Sequence, residues 1–253
     1  MAAPVSPVAL VTGASRGIGR AIAQKLAARG LRVALHYHRN ATAARATLAS
    51  LPGEGHALFR ADLAEPAAGP RLIAAVQKKF SRLDVLVNNA GLYEDHDPLK
   101  VGFAQWEETW ARTIATNLTG PAHLAFLATQ QMRRRGSGRI VNISSRGAFR
   151  GEPTAPAYGA SKAGLNSFGQ SLAKALAPEK IYVFTIAPGW VATEMAEPSL
   201  SGPNRAEILA QHPLGRIATP EEVADTVAWL ATDGPAALTG CIIDLNGASY
   251  LRT

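Results

Sequence analysis

The sequence predicts an α/β protein built on a doubly wound, seven-stranded parallel sheet with helices on both faces. Three observations predict it. Short apolar runs alternate with longer stretches of helical periodicity along the whole chain, the pattern of strand–helix–strand units. A glycine cluster, Thr12–Gly19, separates the first apolar run from the first helical stretch. The residues with chemical potential fall just after strands, at the edge where open parallel sheets bind ligands. No linker divides the 253 residues, so 1–253 reads as one dinucleotide-binding and catalytic domain.

Val8–Val11 is wholly apolar and reads as a buried strand. The turn T-G-A-S-R-G-I-G follows, and a helix is predicted over 20–29. Gly13, Gly17 and Gly19 give the spacing G-x-x-x-G-x-G, with Ser15, Arg16 and Ile18 between them. Between a strand and a helix, such a turn brings backbone N–H groups to a pyrophosphate at the helix N-terminus. Tight packing of the turn is the plain alternative. The second strand, 31–37, ends in Tyr37, His38, Arg39 and Asn40, with no acid to hold a ribose 2′-hydroxyl. Arg39 and Arg16, with His38 beside them, suit a 2′-phosphate instead, which favours NADPH/NADP+ over NADH. The alternative for Arg39 is a loop cation facing water.

A third strand over 57–61 ends in Asp62 and Leu63, at the expected adenine position. The Asp62 carboxylate either accepts from the adenine amino group or caps the helix after it, predicted over 67–80. The fourth strand, 83–87, runs into Asn88, Asn89, Ala90 and Gly91, small enough for backbone to approach a flat ligand. Residues 93–101 read as a loop over the site. A long helix over 103–135 is expected to break near Gly120-Pro121. Asn117 lies within it, where asparagine is disfavoured, so it is either functional or a surface or capping residue. Arg133–Arg135 and Gly136 end that helix, cations against its dipole and a glycine to stop it.

The fifth strand, 139–144, leads to Ser145. A helix over 157–177 puts Tyr158 and Lys162 on one face at i and i+4. A free phenol has a pKa of about 10. An ammonium beside it favours the phenolate and is expected to lower that value. Ser145 then offers a hydroxyl to a substrate oxygen facing the phenol, a set suited to proton exchange with a carbonyl or an alcohol. The sixth strand, 181–186, precedes P-G-W-V-A-T at 188–193. The Pro- and Gly-rich stretch 194–215 reads as a mobile substrate lid. A helix over 220–231 with proline in its first turn and a strand over 241–245 complete the pattern.

Composition narrows the function classes. Net charge is +7, and all of the excess lies before Glu54, the first acid in the chain. An anionic ligand in that first segment accounts for it better than nucleic acid does; a solvated basic face is the alternative. The single cysteine, Cys241, allows no internal disulfide and reads as filler in a buried strand. His36 and His123 read as packing or surface residues, and no metal site is expected. No apolar run approaches the ~18 residues of a membrane span, so no membrane partner is expected. The N-terminal stretch lacks the features of a signal peptide, which makes the cytoplasm the expected location.

Taken together, T-G-A-S-R-G-I-G (Thr12–Gly19), N-N-A-G (Asn88–Gly91), Asn117, Ser145 with Y-G-A-S-K (Tyr158–Lys162) and P-G-W-V-A-T (Pro188–Thr193) resemble the short-chain dehydrogenase/reductase family over nearly the whole chain. The resemblance implies a Rossmann-type sheet in the order 3-2-1-4-5-6-7. It implies Tyr158 as acid in reduction and base in oxidation, and Lys162 as the group that lowers its pKa and bonds the nicotinamide ribose. Ser145 orients the carbonyl, and Asn117 holds a water linking Lys162 to solvent. Pro188, Gly189, Val191 and Thr193 line the nicotinamide pocket, and the family's thirteen-residue step to the tyrosine selects Ser145 over Ser144. It also implies a homotetramer. Within the family the sequence is similar to 3-oxoacyl-[acyl-carrier-protein] reductases. Those place arginines at the site entrance where this chain has Gly136 and Glu179, with Arg133–Arg135 and Lys180 nearby. The substrate is then a carrier-borne thioester or a free ketone, bordered by Tyr93, Arg146, Arg150 and Trp190. The alternatives are a sugar-nucleotide epimerase and a non-catalytic NADP-binding sensor.

Overall fold

The computed structural model describes residues 6–203 and 205–252. Strand β1 (Val8–Val11) is buried throughout and pairs with β2 (Arg32–Tyr37). Beyond β2 lies β3 (Ala57–Arg60). On the other side of β1 come β4 (Val85–Asn88), β5 (Gly138–Ile143), β6 (Ile181–Pro188) and β7 (Ile242–Leu245). Every pairing is parallel and the order is β3-β2-β1-β4-β5-β6-β7, the predicted Rossmann-type topology. The winding reverses between β1 and β4, so a crevice opens at their carboxyl ends.

The helices are, in chain order, α1 (Gly17–Ala28), α2 (Ala41–Ala49), α3 (Ala68–Phe80), α4 (Phe103–Ile114), α5 (Gly120–Arg135), α6 (Gly147–Arg150), α7 (Pro156–Leu176), α8 (Glu197–Leu200), α9 (Arg205–Ala210) and α10 (Pro220–Thr232). Alternate strand residues feed two cores, as the pleat requires. Ala9 and Val11 join Ile22 and Leu26 of α1 and Val223 and Val227 of α10 on one face. Val8 and Leu10 join Leu72 and Val76 of α3 and Leu124 and Ala128 of α5 on the other. The two α-faces therefore clamp a sheet that is largely apolar on both sides, which is why strands such as β1 read as unbroken apolar runs.

Local chemistry sets the element ends. Asn40 caps α2 by accepting from the Ala43 amide at 2.9 Å. Thr219 and Glu222 form a reciprocal capping box at the start of α10, ahead of Pro220. The predicted helix over 103–135 is interrupted earlier than expected, by a π turn over Ala115–Thr119. Pro121 has no amide to donate to the carbonyl one turn back, and the wider turn absorbs that gap. Asn117 sits inside this turn and is fully buried, so it is not a surface residue. Cys241 precedes β7 and is half-buried, because β7 is the sheet edge; the expected strand filler is a rim residue packed against the core. The expected lid, 194–215, contains α8 and α9, and its residue 204 lies outside the described residues. Among the described residues no helix is long and apolar enough to cross a membrane.

Candidate active site

The crevice begins at the glycine turn, which polar side chains hold from beneath. The Thr12 hydroxyl donates to the Val87 carbonyl at 3.2 Å and accepts from the Asn89 and Ala90 amides, each at 2.9 Å. The Asn89 side-chain amide donates back to the Thr12 carbonyl at 2.8 Å. One side chain thereby locks the loops after β1 and β4 to each other. Gly13 has φ +64°, and a Cβ there would lie 2.9 Å from the Ala90 backbone. At Gly19 a Cβ would lie 2.3 Å from the Gly13 carbonyl oxygen, so the turn closes only around hydrogen.

His36 completes the turn. It is 2% exposed; its Nδ1 accepts from the Gly13 amide at 3.1 Å, and its Nε2 lies 3.2 Å from the Ala61 carbonyl. The amide donor fixes the tautomer, with the proton on Nε2. Burial, reinforced by His38 nearby, pushes its pKa from 6.5 to about 4 despite the Ala61 bond and Asp62. The sequence makes His36 a packing or surface residue; the structure buries it and bonds it to the glycine turn. A lone histidine inside an otherwise apolar buried strand was the signal available, since a buried imidazole needs two partners.

Across the crevice stand Ser145, Tyr158, Lys162 and Asn117. The Ser145 hydroxyl accepts from the Gly147 amide at 3.0 Å and bonds the Tyr158 phenol. Ser144 instead turns inward to the Lys162 carbonyl at 3.3 Å, which leaves Ser145 as the serine facing the cleft. The Lys162 amine donates to the Ile143 carbonyl at 2.8 Å and lies 5.7 Å from the centre of the Tyr158 ring. Asn117 bonds both the amide and the carbonyl of Leu92, at 2.9 and 3.0 Å, and donates to Ser161 at 3.2 Å. A Cβ on Gly91 would meet the Asn117 oxygen and the Lys162 nitrogen, each at 3.4 Å. The N-N-A-G loop thus brings the glycine-turn wall against the lysine wall.

Another residue absent from the sequence reading orients α7. His96 is fully buried; its Nε2 accepts from the Ala157 amide at 3.1 Å and its Nδ1 donates to the Glu94 carbonyl at 2.8 Å. The N-cap residue Ala155 has no side chain able to cap, so an imidazole from the preceding loop does that work immediately before Tyr158. Tyr93 from the same loop meets the Tyr158 ring edge-on at 5.0 Å.

The electrostatics correct one expectation. Tyr158 is not made more acidic: burial pushes its pKa up to about 12, with Glu152 and Tyr93 adding to the rise and Ser145 opposing it. Lys162 is pulled down to about 8 by burial. Among the described residues the one hydrogen bond of its amine goes to a backbone carbonyl rather than to the phenol. Tyr158 is therefore a neutral phenol across the neutral pH range, loaded with the proton a reduction consumes.

The residues fit a nicotinamide dinucleotide. The N-cap of α1, Arg16, makes no side-chain cap bond and the first turn holds no acid, so the amides at that helix start are open to an anion. Lys162 spends one of its three donors on Ile143. Ile18 packs on the core and holds Gly17 and Gly19 at the crevice; a Cβ on Gly17 would lie 3.3 Å from Thr193. Ser15 is anchored through its carbonyl by Thr47 at 2.9 Å. Gly189 abuts Asn246, and Val191 is buried beside the Ala218 bridge, so 188–193 lies along the same edge after Pro188 ends β6. At the outer end Arg39 is exposed, and its guanidinium has no hydrogen-bond or ion-pair partner among the described residues. Arg16 pairs with Glu194 at 3.2 Å. Asp62 lies 3.3 Å from His38 and accepts from the Ala64 amide at 3.0 Å. It starts a local turn after β3 and does not cap α3, which begins at Ala68; Leu63 packs inward against Gly120. Arg133–Arg135, Gly136, Glu179 and Lys180 do not border the crevice within this chain: they lie where β5 and β6 begin, at the opposite edge of the sheet, with Glu179 paired to Arg133 at 3.3 Å and Arg135 to Asp84 at 3.1 Å.

A nucleotide-binding turn on one wall and a hydroxyl pair backed by an amine on the other define the class: an NAD(P)-dependent oxidoreductase. The chain belongs to the short-chain dehydrogenase/reductase family; residues 13–247 match the member family described as Enoyl-(Acyl carrier protein) reductase. It is 41% identical to the 3-oxoacyl-[acyl-carrier-protein] reductase of Synechocystis sp. over 99% of this chain and 100% of that one. It is 38% identical to the 3-oxoacyl-[acyl-carrier-protein] reductase FabG of Escherichia coli, covering 96% of this chain and 97% of the relative. The enzyme of that name from Staphylococcus aureus is likewise 38% identical, over 96% and 98%.

Proposed function

We propose that this oxidoreductase uses NADPH to reduce the ketone of a 3-oxoacyl thioester or a related 3-oxo compound to the alcohol. The observation that carries the reading is the Ser145–Tyr158 pair: two hydroxyls hydrogen-bonded to each other, with Lys162 behind them. A ketone under reduction gathers negative charge on its oxygen, and two hydroxyl donors converging there stabilise that charge. Tyr158, held neutral by burial, gives up its proton to that oxygen; Ser145 orients the carbonyl; Lys162 and Asn117 lead protons back towards solvent. When bound, NADPH supplies the hydride.

Gly13, Ser15, Arg16, Gly17, Ile18 and Gly19 would hold the pyrophosphate, and Arg16, His38 and Arg39 the 2′-phosphate. Asp62 and Leu63 would border adenine. Asn89, Ala90, Gly91, Pro188, Gly189, Val191 and Thr193 would line the nicotinamide side with Tyr158 and Lys162. Residues 1–253 act as a single domain with 194–215 as its lid, working in the cytoplasm as a homotetramer. Exposed Phe103 and Trp110 on α4 and Phe126 on α5 support contact with another copy. A sensor without catalysis would have no use for a buried amine and a loaded phenol, and no observation favours the epimerase.

The test follows NADPH oxidation with acetoacetyl, crotonyl and simple ketone substrates. Acetoacetyl thioester should be reduced and crotonyl thioester should not. Turnover of crotonyl thioester alone would make the enzyme an enoyl reductase and overturn the carbonyl reading.

A further inference from the structure

Next to Ser145 lies a buried cation that the chemistry above does not use. Arg146 is 4% exposed. Its amide donates to the Pro188 carbonyl at 2.8 Å. Its guanidinium donates to the Ser249 hydroxyl at 2.7 Å and to the Gln211 side-chain oxygen at 3.0 Å. Arg150, one turn on, donates to that same oxygen at 3.2 Å. Two guanidinium groups thus converge on one neutral acceptor. Among the described residues no carboxylate lies within the 4.0 Å of an ion pair from either guanidinium. Burial and the neighbouring Arg150 pull the Arg146 pKa down to about 10, while half-buried Glu152 only partly offsets this, so the positive charge is undercompensated.

The location is as telling as the charge. Ser249 abuts Gly189, since a Cβ on that glycine would lie 3.3 Å from the Ser249 hydroxyl. Gln211 follows α9 at the end of the expected lid. The guanidinium is therefore enclosed by the serine loop, the loop after β6, the lid and the C-terminal segment, which together wall the substrate side of the crevice. A buried guanidinium met only by neutral oxygens is costly, and a bidentate oxyanion is the partner its geometry matches best.

We propose that Arg146 and Arg150 form an oxyanion subsite that selects substrates carrying an anionic group, either beside the ketone or at the far end of a thioester arm, with Gln211 holding the place of that group until substrate arrives. The proposal rests on the ketone-reductase reading and adds to it the class of substrate. A carboxylate on the ketone itself and the phosphate of a pantetheine arm share this chemistry. Their exchange for Gln211 also frees the end of the lid.

The experiment compares matched pairs with NADPH: levulinate against levulinamide, and acetoacetyl-phosphopantetheine against acetoacetyl-pantetheine. Wild type should favour the anionic member of at least one pair by about tenfold or more in kcat/KM. The pair that responds names the source of the anion. Arg150→Gln, at an exposed position, should cut that preference by about tenfold, and Gln211→Glu should abolish it by supplying an internal carboxylate. Calorimetric binding of levulinate and of phosphopantetheine to wild type and to Arg150→Gln gives a readout independent of turnover. Equal rates within both pairs, or a preference untouched by both variants, would overturn the subsite while leaving ketone reduction in place. If none of the four compounds is reduced, the reductase reading fails, and the calorimetry still decides the subsite: binding weakened in Arg150→Gln supports it, and binding that is absent or unchanged refutes it.

Discussion

Lowering the pH should strain this enzyme first at His36. The neutral ring accepts from Gly13 and bonds Ala61, so a second ring proton would face the Gly13 amide hydrogen. The unfolded chain takes up that proton near pH 6.5, whereas the folded chain resists until about 4. Stability from this group is therefore complete above pH 6.5 and is lost as the pH falls from 6.5 to about 4. At about 1.4 kcal/mol per pH unit in that window, the loss approaches ~3 kcal/mol. Carboxylates as a class take up protons in the same range, so the measured quantity is the difference between two proteins. His36→Leu should be less stable at neutral pH by about 2 kcal/mol, because it leaves the Gly13 amide and the Ala61 carbonyl without partners. Its denaturant-unfolding free energy should then change less between neutral pH and pH 4, and the two curves should converge. NADPH affinity of the wild type should decline across the same window as the turn loosens. Parallel curves for wild type and His36→Leu from pH 7 to pH 4 would refute the reasoning.

Thr12→Val should cost about 2 kcal/mol or more in chemical unfolding, since two amides lose their acceptor, while Thr12→Ser should retain most of the stability. Gly19→Ala should lose at least about tenfold in NADPH affinity by fluorescence titration and about 1–3 kcal/mol of stability, because its methyl would sit 2.3 Å from the Gly13 oxygen. Arg39→Asp should lower the ratio of NADPH to NADH affinity by about tenfold in stopped-flow binding; an unchanged ratio would remove Arg39 from the 2′-phosphate site.

The architecture was readable from the chain because both faces of the sheet are buried. Runs such as Val8–Val11 and 181–186 then carry no polar alternation to confuse them with surface strands. The glycine turn and the Tyr158–Lys162 spacing were readable because each is local, set by residues a few positions apart. Long-range bonds were harder. Nothing local in Thr12, His36 or His96 shows that they meet the loops after β4, β1 and the start of α7. The π turn at Ala115–Thr119 was visible only as a weakness near Pro121, since proline marks a lost amide without saying which turn widens. The acidity of Tyr158 was misjudged for a similar reason. Sequence spacing brings Lys162 close, but the amine turns to Ile143, and the degree of burial belongs to the assembled crevice.

The most direct test of the central claim is Tyr158→Phe followed in pre-steady-state and steady-state assays with NADPH and acetoacetyl thioester. Removing the proton donor should lower turnover by about a hundredfold or more. NADPH affinity should stay within about twofold, because the turn that would hold the pyrophosphate is built by Thr12, His36 and Asn89. Turnover close to that of wild type, with the phenol gone, would contradict the account.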